Sequence, residues 1–252
     1  LVPKFLVNAD GSLGARNDIH ASGVEHKLGM HASPTCTMTM GDKGGAIGFL
    51  IGEENAGMRC MFTMMNQARL GVGLEGVGIA DRAYQQALAY ARERRQGKVV
   101  GHKGDGMDPI IVHPDVRRTL LTIRAFNEAA RAMVVWTALK SDVAHRSNDP
   151  KDRQAADDHM GLMTPVLKGV LTDTGFANTV SAQQMFGGHG YIEETGLSQF
   201  HGIAEGVVRP TLRFYRSVRV FSSSACLTSH WRLDECMWIV AIFWLMTVRT
   251  VR

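Results

Sequence analysis

Short runs of β-branched and aromatic residues at the start of the chain predict strands. Residues 1–54 hold four such runs, separated by turn-forming stretches such as NADGS and GDKGG: LVPKFLV, HASGVEHKLG, SPTCTMTM and GGAIGFLIG. Three of the runs are rich in Val, Ile, Phe or Thr, the residues that strands favour. So few strands cannot close a core alone, so we expect this region to be a fragment of a larger β-domain.

Beyond residue 55 the hydrophobic positions change to a helical period. One helix is predicted over 58–95, a loop over 96–109, and a second helix that Pro114 opens at its first turn. After a turn over 147–152, a third helix is predicted to run towards residue 180, with a bend at Pro165. The positions that define the three apolar faces are Leu70, Leu74, Val77, Ala80, Ala87, Leu88 and Ala91, then Leu120, Ile123, Phe126, Ala130, Met133, Trp136 and Leu139, then Leu162, Val166 and Val170. Three long helices with short links predict an antiparallel bundle.

Four glycines interrupt the first predicted helix, at Gly71, Gly73, Gly76 and Gly78. Each glycine costs about 1 kcal/mol in a helix interior relative to alanine. Such a cost needs a compensating gain, and the close approach of another helix or a ligand supplies one. The glycines therefore predict tight packing against this helix.

The net charge of +4 does not indicate a nucleic-acid-binding protein. Residues 202–252 hold seven Arg, no Lys and three acids, which accounts for the whole excess. Residues 1–201 then hold 21 basic and 21 acidic residues and have no net charge. The apolar run MWIVAIFWLMTV in this tail has twelve residues, too few for a bilayer, which needs about 20. The cysteines and histidines show no zinc-site spacing.

The stretch QQMFGGHGYIEETG, residues 183–196, is the first candidate for chemistry. Its glycines allow a backbone to approach a ligand, with Gln184 beside them, but an ordinary helix end and turn explains the same pattern. The stretch follows a helix and not a strand, so the context of a Rossmann dinucleotide site is absent. Two basic segments also have both a functional and a purely structural interpretation. Arg69 could meet a phosphate or lie in solvent, and Arg94 in ARERRQGK could simply complement a helix dipole.

The order of these motifs is informative where each one alone is not. KLGxxASPTC, GEExxGMxxMFTMMNxARLGVG, YARERRQG and QxxGGHGYIEETG, at these separations, resemble the acyl-CoA dehydrogenase family over residues 1–201. Two segments are most similar in sequence to the 3-methylmercaptopropionyl-CoA dehydrogenase branch: EHKLGMHASPTC and FTMMNQARLGVGLEGVGIADRAYQQALAYARERRQG. The resemblance implies an α+β chain, with a partial middle β-domain in 1–54, a C-terminal helical bundle in 55–201 and a divergent tail in 202–252.

The resemblance also implies an FAD site shared across a dimer. Arg94 matches the arginine that reaches the FAD pyrophosphate, although the Phe usual before the following Gly is absent. The glycine-turn residues Gln184, Gly187 and Gly188 match the motif that cradles the adenine half of FAD. His113 lies near a further FAD contact. For the acyl-CoA substrate, the resemblance places Asn66 and Arg69 at the CoA portion.

The catalytic base is missing from the positions where the family carries it. The family's glutamate should fall near position 211, which is Thr211 here, and a hydroxyl cannot take an α-proton at neutral pH. Glu205 stands where the family has an arginine. Some branches carry the base just before the helix arginine, a position that Ala68 occupies here. We interpret residues 202–252 as a frameshifted or otherwise foreign sequence, and the whole chain as a truncated gene product.

The expected activity is FAD-dependent α,β-dehydrogenation of a short acyl-CoA, with 3-methylmercaptopropionyl-CoA as one candidate, impaired by the missing base. The expected partners are an electron-transferring flavoprotein and further copies of the chain, in a homodimer or homotetramer. We also expect a cytoplasmic location. We expect the chain to bind no nucleic acid, membrane or metal. The alternative is a non-catalytic helical dimerisation module derived from the same family.

Overall fold

The elements follow the predicted order of strands and then helices. In the computed structural model the described residues are 1–204, and they divide into two compact units, one ending at Gln67 and the other beginning at Ala68. The strands are β1 Phe5–Val7, β2 Leu13–Arg16, β3 Ile19–Val24 and β4 Cys36–Met40. The long helices are α1 Gly57–Glu93, α2 Pro114–Arg146 and α3 Pro150–Gln184. Strands followed by a helical bundle give the predicted α+β class.

The strands form two separate antiparallel hairpins, β1 with β2 and β3 with β4. The strand predicted in GGAIGFLIG is wrong, because residues 44–52 are described and form no strand. Gly44 and Gly45 have positive φ angles of 118° and 120°, which strand backbone does not adopt. The amide of Ile47 donates to the side-chain oxygen of Asn17 at 2.9 Å instead of joining a ladder. Strand β2 is an addition that the sequence pattern did not reveal.

Asn17 holds the first unit together. Its side-chain nitrogen donates to the carbonyl oxygens of Pro3 at 2.9 Å and Ile47 at 2.8 Å, and only 5% of the residue is exposed. The Asn17 amide thus links three backbone segments, in addition to the two backbone hydrogen bonds that Leu1 and Phe49 exchange at 2.7 and 2.8 Å.

The predicted start of α2 at Pro114 is confirmed by the structure, whereas α3 begins at Pro150, inside the turn predicted over 147–152. Proline occupies the first turn of both α2 and α3, where its missing N–H breaks no helical bond. The Asp149 side chain caps α3 by accepting a hydrogen bond from the Lys151 amide at 2.8 Å. The third helix is continuous through Pro165.

The buried faces of the helices differ in part from the predicted ones. In α3 the predicted Leu162, Val166 and Val170 are half-buried, and the residue after each of them is buried: Met163, Leu167 and Leu171. This helix carries two adjacent apolar stripes, and the packing of α1 and α2 selects one of them. Leu74, Trp136 and Leu139 were also predicted in the core and are exposed.

Two apolar clusters fill the bundle. The first joins Ala83, Ala87, Ala91, Ile110, Leu120, Ile123 and Ala182. The second joins Val77, Ala130, Val134, Met163, Leu167 and Leu171. The first cluster lies beside the end of α1, the start of α2 and the end of α3, so it supports the surface where these three meet.

The α1 glycines confirm the packing prediction at two of four positions. A Cβ on Gly76 would lie 2.9 Å from the carbonyl oxygen of Leu171, and one on Gly73 would lie 3.5 Å from the Leu171 side chain. At Gly71 and Gly78 a Cβ would meet no described atom within 4 Å, so close approach of a helix or a ligand stays a prediction there. Close helix contact therefore accounts for the inner pair alone.

Candidate functional site

An open cavity of about 840 Å³ lies where α1 ends, α2 begins and α3 ends. We call it the bundle-end cavity. All five residues that the sequence assigned to a cofactor line it, although they come from distant parts of the chain: Arg94, His113, Gln184, Gly187 and Gly188. The structure thus brings this predicted set together, and the role of each residue stays a prediction.

Backbone pairing fixes the segment that carries Arg94. The Ile110 amide donates to the Arg94 carbonyl oxygen at 2.8 Å. The Gln96 amide and Asp108 carbonyl are bonded at 2.9 Å, and the Asp108 amide returns to Gly97 at 2.9 Å. These bonds hold the backbone after α1 while the Arg94 side chain stays exposed and makes no ion pair or hydrogen bond with any described residue. A guanidinium that has no partner among the described residues and is carried on a fixed backbone is suited to binding an anion.

His113 supports this segment from the other side. Its Nε2 atom donates to the carbonyl oxygen of Gln96 at 2.8 Å. The bond leaves Nδ1 as the acceptor in the neutral ring. His113 therefore links the start of α2 to the segment after α1, in addition to lining the cavity.

The glycine turn has two different kinds of glycine. Gly187 has a φ of 55°, and at both Gly187 and Gly188 an added Cβ would meet no described atom within 4 Å. Gly190 is buried, and a Cβ there would lie 2.5 Å from the carbonyl oxygen of Gln183. The Gln183 side chain also donates to the Gly190 carbonyl oxygen at 2.7 Å. Gly190 thus serves the turn itself, whereas Gly187 and Gly188 leave an open strip of backbone at the cavity.

An aromatic pair in the cavity wall was not identified from the sequence. The rings of Tyr90 and Phe186 are stacked with centroids 4.2 Å apart and an interplanar angle of 18°. His189 follows at 6.4 Å from Tyr90. The available signal was their position, since Tyr90 precedes Arg94 by one helical turn and Phe186 immediately precedes the two exposed glycines. The pair supplies aromatic surface to the cavity wall.

The predicted substrate residues do not line the bundle-end cavity. Asn66 and Arg69 both lie on α1 and are half-buried. Burial lowers the pKa of the Arg69 guanidinium. Burial, and then the charge of Arg69, lower the pKa of Lys168 on α3. The two cations therefore lie near each other, Arg69 on α1 and Lys168 on α3.

Several predicted features cannot be placed. Glu205 and Thr211, with the rest of 205–252, lie outside the described residues, and Ala68 is exposed on α1. Among residues 1–204 no helix is long and apolar enough to cross a membrane.

Comparison with known proteins identifies the family. The model of the acyl-CoA dehydrogenase C-terminal domain matches residues 55–221, more than half of the chain. The chain belongs to the acyl-CoA dehydrogenase family. The match begins where the predicted bundle domain begins, and it extends 20 residues past the predicted end at residue 201. The foreign tail therefore stays a prediction.

Two curated relatives and one solved structure show how far the similarity extends. The chain is 43% identical over 202 residues to 3-methylmercaptopropionyl-CoA dehydrogenase of Ruegeria pomeroyi, covering 80% of this chain and 34% of the relative. It is 39% identical over 200 residues to a butyryl-CoA dehydrogenase of Syntrophomonas wolfei, covering 77% and 33%. The chain thus spans about a third of the length of these relatives. The structure of butyryl-CoA dehydrogenase from Megasphaera elsdenii, 22% identical, aligns with a TM-score of 0.63 over 81% of this chain and 49% of that one, which shows the fold alone.

Proposed function

We propose that the bundle-end cavity binds the adenosine diphosphate half of FAD. We further propose that the chain is part of an acyl-CoA dehydrogenase that introduces a double bond between the α and β carbons of a short acyl-CoA. The observation that carries the proposal is the convergence of Arg94, His113, Gln184, Gly187 and Gly188 on one cavity. Membership of the family and similarity to 3-methylmercaptopropionyl-CoA dehydrogenase support the substrate class.

The chemistry of the cavity wall fits this half of the cofactor. Arg94 presents a guanidinium without a protein partner among the described residues, suited to a diphosphate. The open backbone of Gly187 and Gly188 allows the close approach that a Cβ would restrict. The Tyr90 and Phe186 rings offer apolar surface to a purine, and the Gln184 amide can both donate to it and accept from it.

The remainder of the function follows from the family. When bound, FAD supplies a hydride acceptor for the β-hydrogen of the substrate. Within this chain, Arg94, Gln184, Gly187 and Gly188 would hold the cofactor, which we propose to be shared with a second copy of the chain. Asn66 and Arg69 would contact the CoA portion of the substrate. An electron-transferring flavoprotein would receive the electrons, in a cytoplasmic setting.

Flavin retention tests the proposal. The purified chain is incubated with FAD, desalted and examined by visible absorption, alongside Arg94→Ala. Arg92→Ala is the matched control, because Arg92 lies in the last turn of α1, two residues before Arg94, and does not line the cavity. We expect wild type and Arg92→Ala to keep the flavin bands and Arg94→Ala to lose most of them. Colourless wild-type protein, or equal retention in both variants, would contradict the proposal.

A second candidate function is a non-catalytic helical dimerisation module. It is favoured by Thr211, which stands where the family's catalytic glutamate is expected. A colourless chain with the mass of a dimer in solution would support this alternative. A yellow dimer would support the flavoprotein.

A further inference from the structure

The bundle-end cavity is lined by one basic and one acidic side chain besides its histidines. Among the described residues that line it, Arg94 is the only Lys or Arg and Asp115 is the only Asp or Glu. Asp115 is the second residue of α2 and is exposed. Its carboxylate makes no hydrogen bond or ion pair with the described residues, because the one bond to Asp115, from the Thr119 hydroxyl, goes to the backbone carbonyl. An unpaired carboxylate thus shares the cavity with the guanidinium that would bind a diphosphate.

A carboxylate at this place treats two kinds of nucleotide differently. It can accept hydrogen bonds from free ribose hydroxyls, and it repels a phosphate on the same ribose. The distinction matters here because both molecules that the proposed enzyme uses contain adenosine diphosphate. In FAD the adenosine ribose has free hydroxyls, whereas in CoA the same ribose carries a 3′-phosphate.

We propose that Asp115 is a specificity-determining residue that disfavours 3′-phosphorylated adenosine in the bundle-end cavity. It thereby reserves the cavity for the adenosine diphosphate of the flavin and directs CoA elsewhere. This inference rests on the proposed function, since it assumes that the cavity binds adenosine diphosphate.

A structural explanation of Asp115 exists and can be separated from this role. An acid in the first turn of a helix interacts favourably with the helix dipole. Asp152 occupies the first turn of α3 in the same way, and it does not line the cavity. Removing the charge of Asp115 or of Asp152 changes the net charge by the same amount, and each change removes one acid from the first turn of a helix. Only Asp115 should alter the discrimination between ligands.

The experiment measures the dissociation constants of ADP and of 3′-phospho-ADP by isothermal titration calorimetry at low salt. The full chain is compared with Asp115→Asn, Asp115→Glu and Asp152→Asn. We expect wild type to prefer ADP, and Asp115→Asn to reduce that preference about 2- to 5-fold, as expected for one exposed charge interaction. Asp115→Glu and Asp152→Asn should keep the wild-type ratio. Added salt should weaken the preference in wild type more than in Asp115→Asn.

The outcomes separate this inference from the proposed function. If wild type binds ADP but the ratio is the same in Asp115→Asn, the role of Asp115 is wrong and the proposed function stands. An equal loss of discrimination in Asp152→Asn would also overturn it, because a general charge effect would then be responsible. If wild type binds neither nucleotide, both the proposed function and this inference fail.

Discussion

Gly175 of α3 and Gly76 of α1 bring the two helix backbones into direct contact. A Cβ added to Gly175 would lie 2.7 Å from the carbonyl oxygen of Gly76, closer than real Cβ atoms come to backbone. Neither backbone can move without shifting a whole helix. The pair therefore sets the distance between α1 and α3, which both end at the bundle-end cavity.

Gly175→Ala should destabilise the chain. The methyl group forces the helices apart, at a cost of about 1–3 kcal/mol, which outweighs the gain of up to about 1 kcal/mol in helix propensity. Gly78→Ala is the control, since a Cβ there meets no described atom within 4 Å. It should stabilise the chain by about 0.5–1 kcal/mol. Urea unfolding measures both, and a stable Gly175→Ala would show that the helices can separate freely.

The two kinds of glycine in the turn after α3 predict opposite effects of alanine. Gly190→Ala should lower the free energy of unfolding by about 1–3 kcal/mol, because its Cβ would overlap the Gln183 backbone. Gly188→Ala should leave stability within about 0.5 kcal/mol of wild type and weaken FAD retention. Thermal unfolding and flavin absorbance separate the two. Normal flavin binding by Gly188→Ala would remove this residue from the proposed site.

Asn127 is a polar residue between the two apolar clusters. It lies on α2 between Ile123 and Ala130, is 2% exposed, and neither atom of its amide group is hydrogen-bonded within the described chain. An unsatisfied buried amide costs about 1–3 kcal/mol. Asn127→Leu should therefore raise the free energy of unfolding by about 1 kcal/mol in chemical denaturation.

Asn127→Asp is the companion variant for that test. It buries a carboxyl group of similar size and should destabilise the chain by about 3 kcal/mol or more at neutral pH. A less stable Asn127→Leu would mean that the native amide is satisfied, for example by an internal water.

His159 should make stability depend on pH. Its ring and that of Trp136 form a T-shaped pair with centroids 4.4 Å apart, and burial, followed by the charge of Lys140, lowers the pKa of His159 below the usual 6.5. As the pH falls below that usual value, the unfolded chain takes up a proton that the folded chain does not, so folding loses stability. From pH 7 to pH 5, wild type should lose more stability than His159→Gln. Parallel denaturation curves for the two proteins across this range would contradict the prediction.

Thr211, at the position where the resemblance places the catalytic glutamate, predicts low turnover. Loss of a general base costs about 10²–10⁴-fold in rate, and Thr211 cannot replace a glutamate. We expect little oxidation of butyryl-CoA or methylmercaptopropionyl-CoA by the purified chain, followed with an artificial electron acceptor. Substantial turnover would show that another residue takes the α-proton.

The helix bounds and the members of the candidate site could be predicted from the sequence because their signals are local. The 3.6-residue period predicted the three helices and Pro114 the start of α2, whereas α3 begins at Pro150, within a predicted turn. The motifs around Arg94 and Gln184 are short and ordered, so the family resemblance placed them in one site before the structure showed that they share a cavity. The strand predicted over 44–52 failed because the Ile47 backbone bonds to the side chain of Asn17, 30 residues away.

The sequence by itself determined three long helices, their order and their family, because periodicity, capping and motif order are properties of neighbouring residues. Only the tertiary structure decided which of two apolar stripes on α3 is buried, which α1 glycines contact another helix, and that Tyr90 stacks on Phe186. Each of these depends on how distant segments approach one another. That approach is set by the joint packing of all three helices, and no single segment carries a pattern that specifies it.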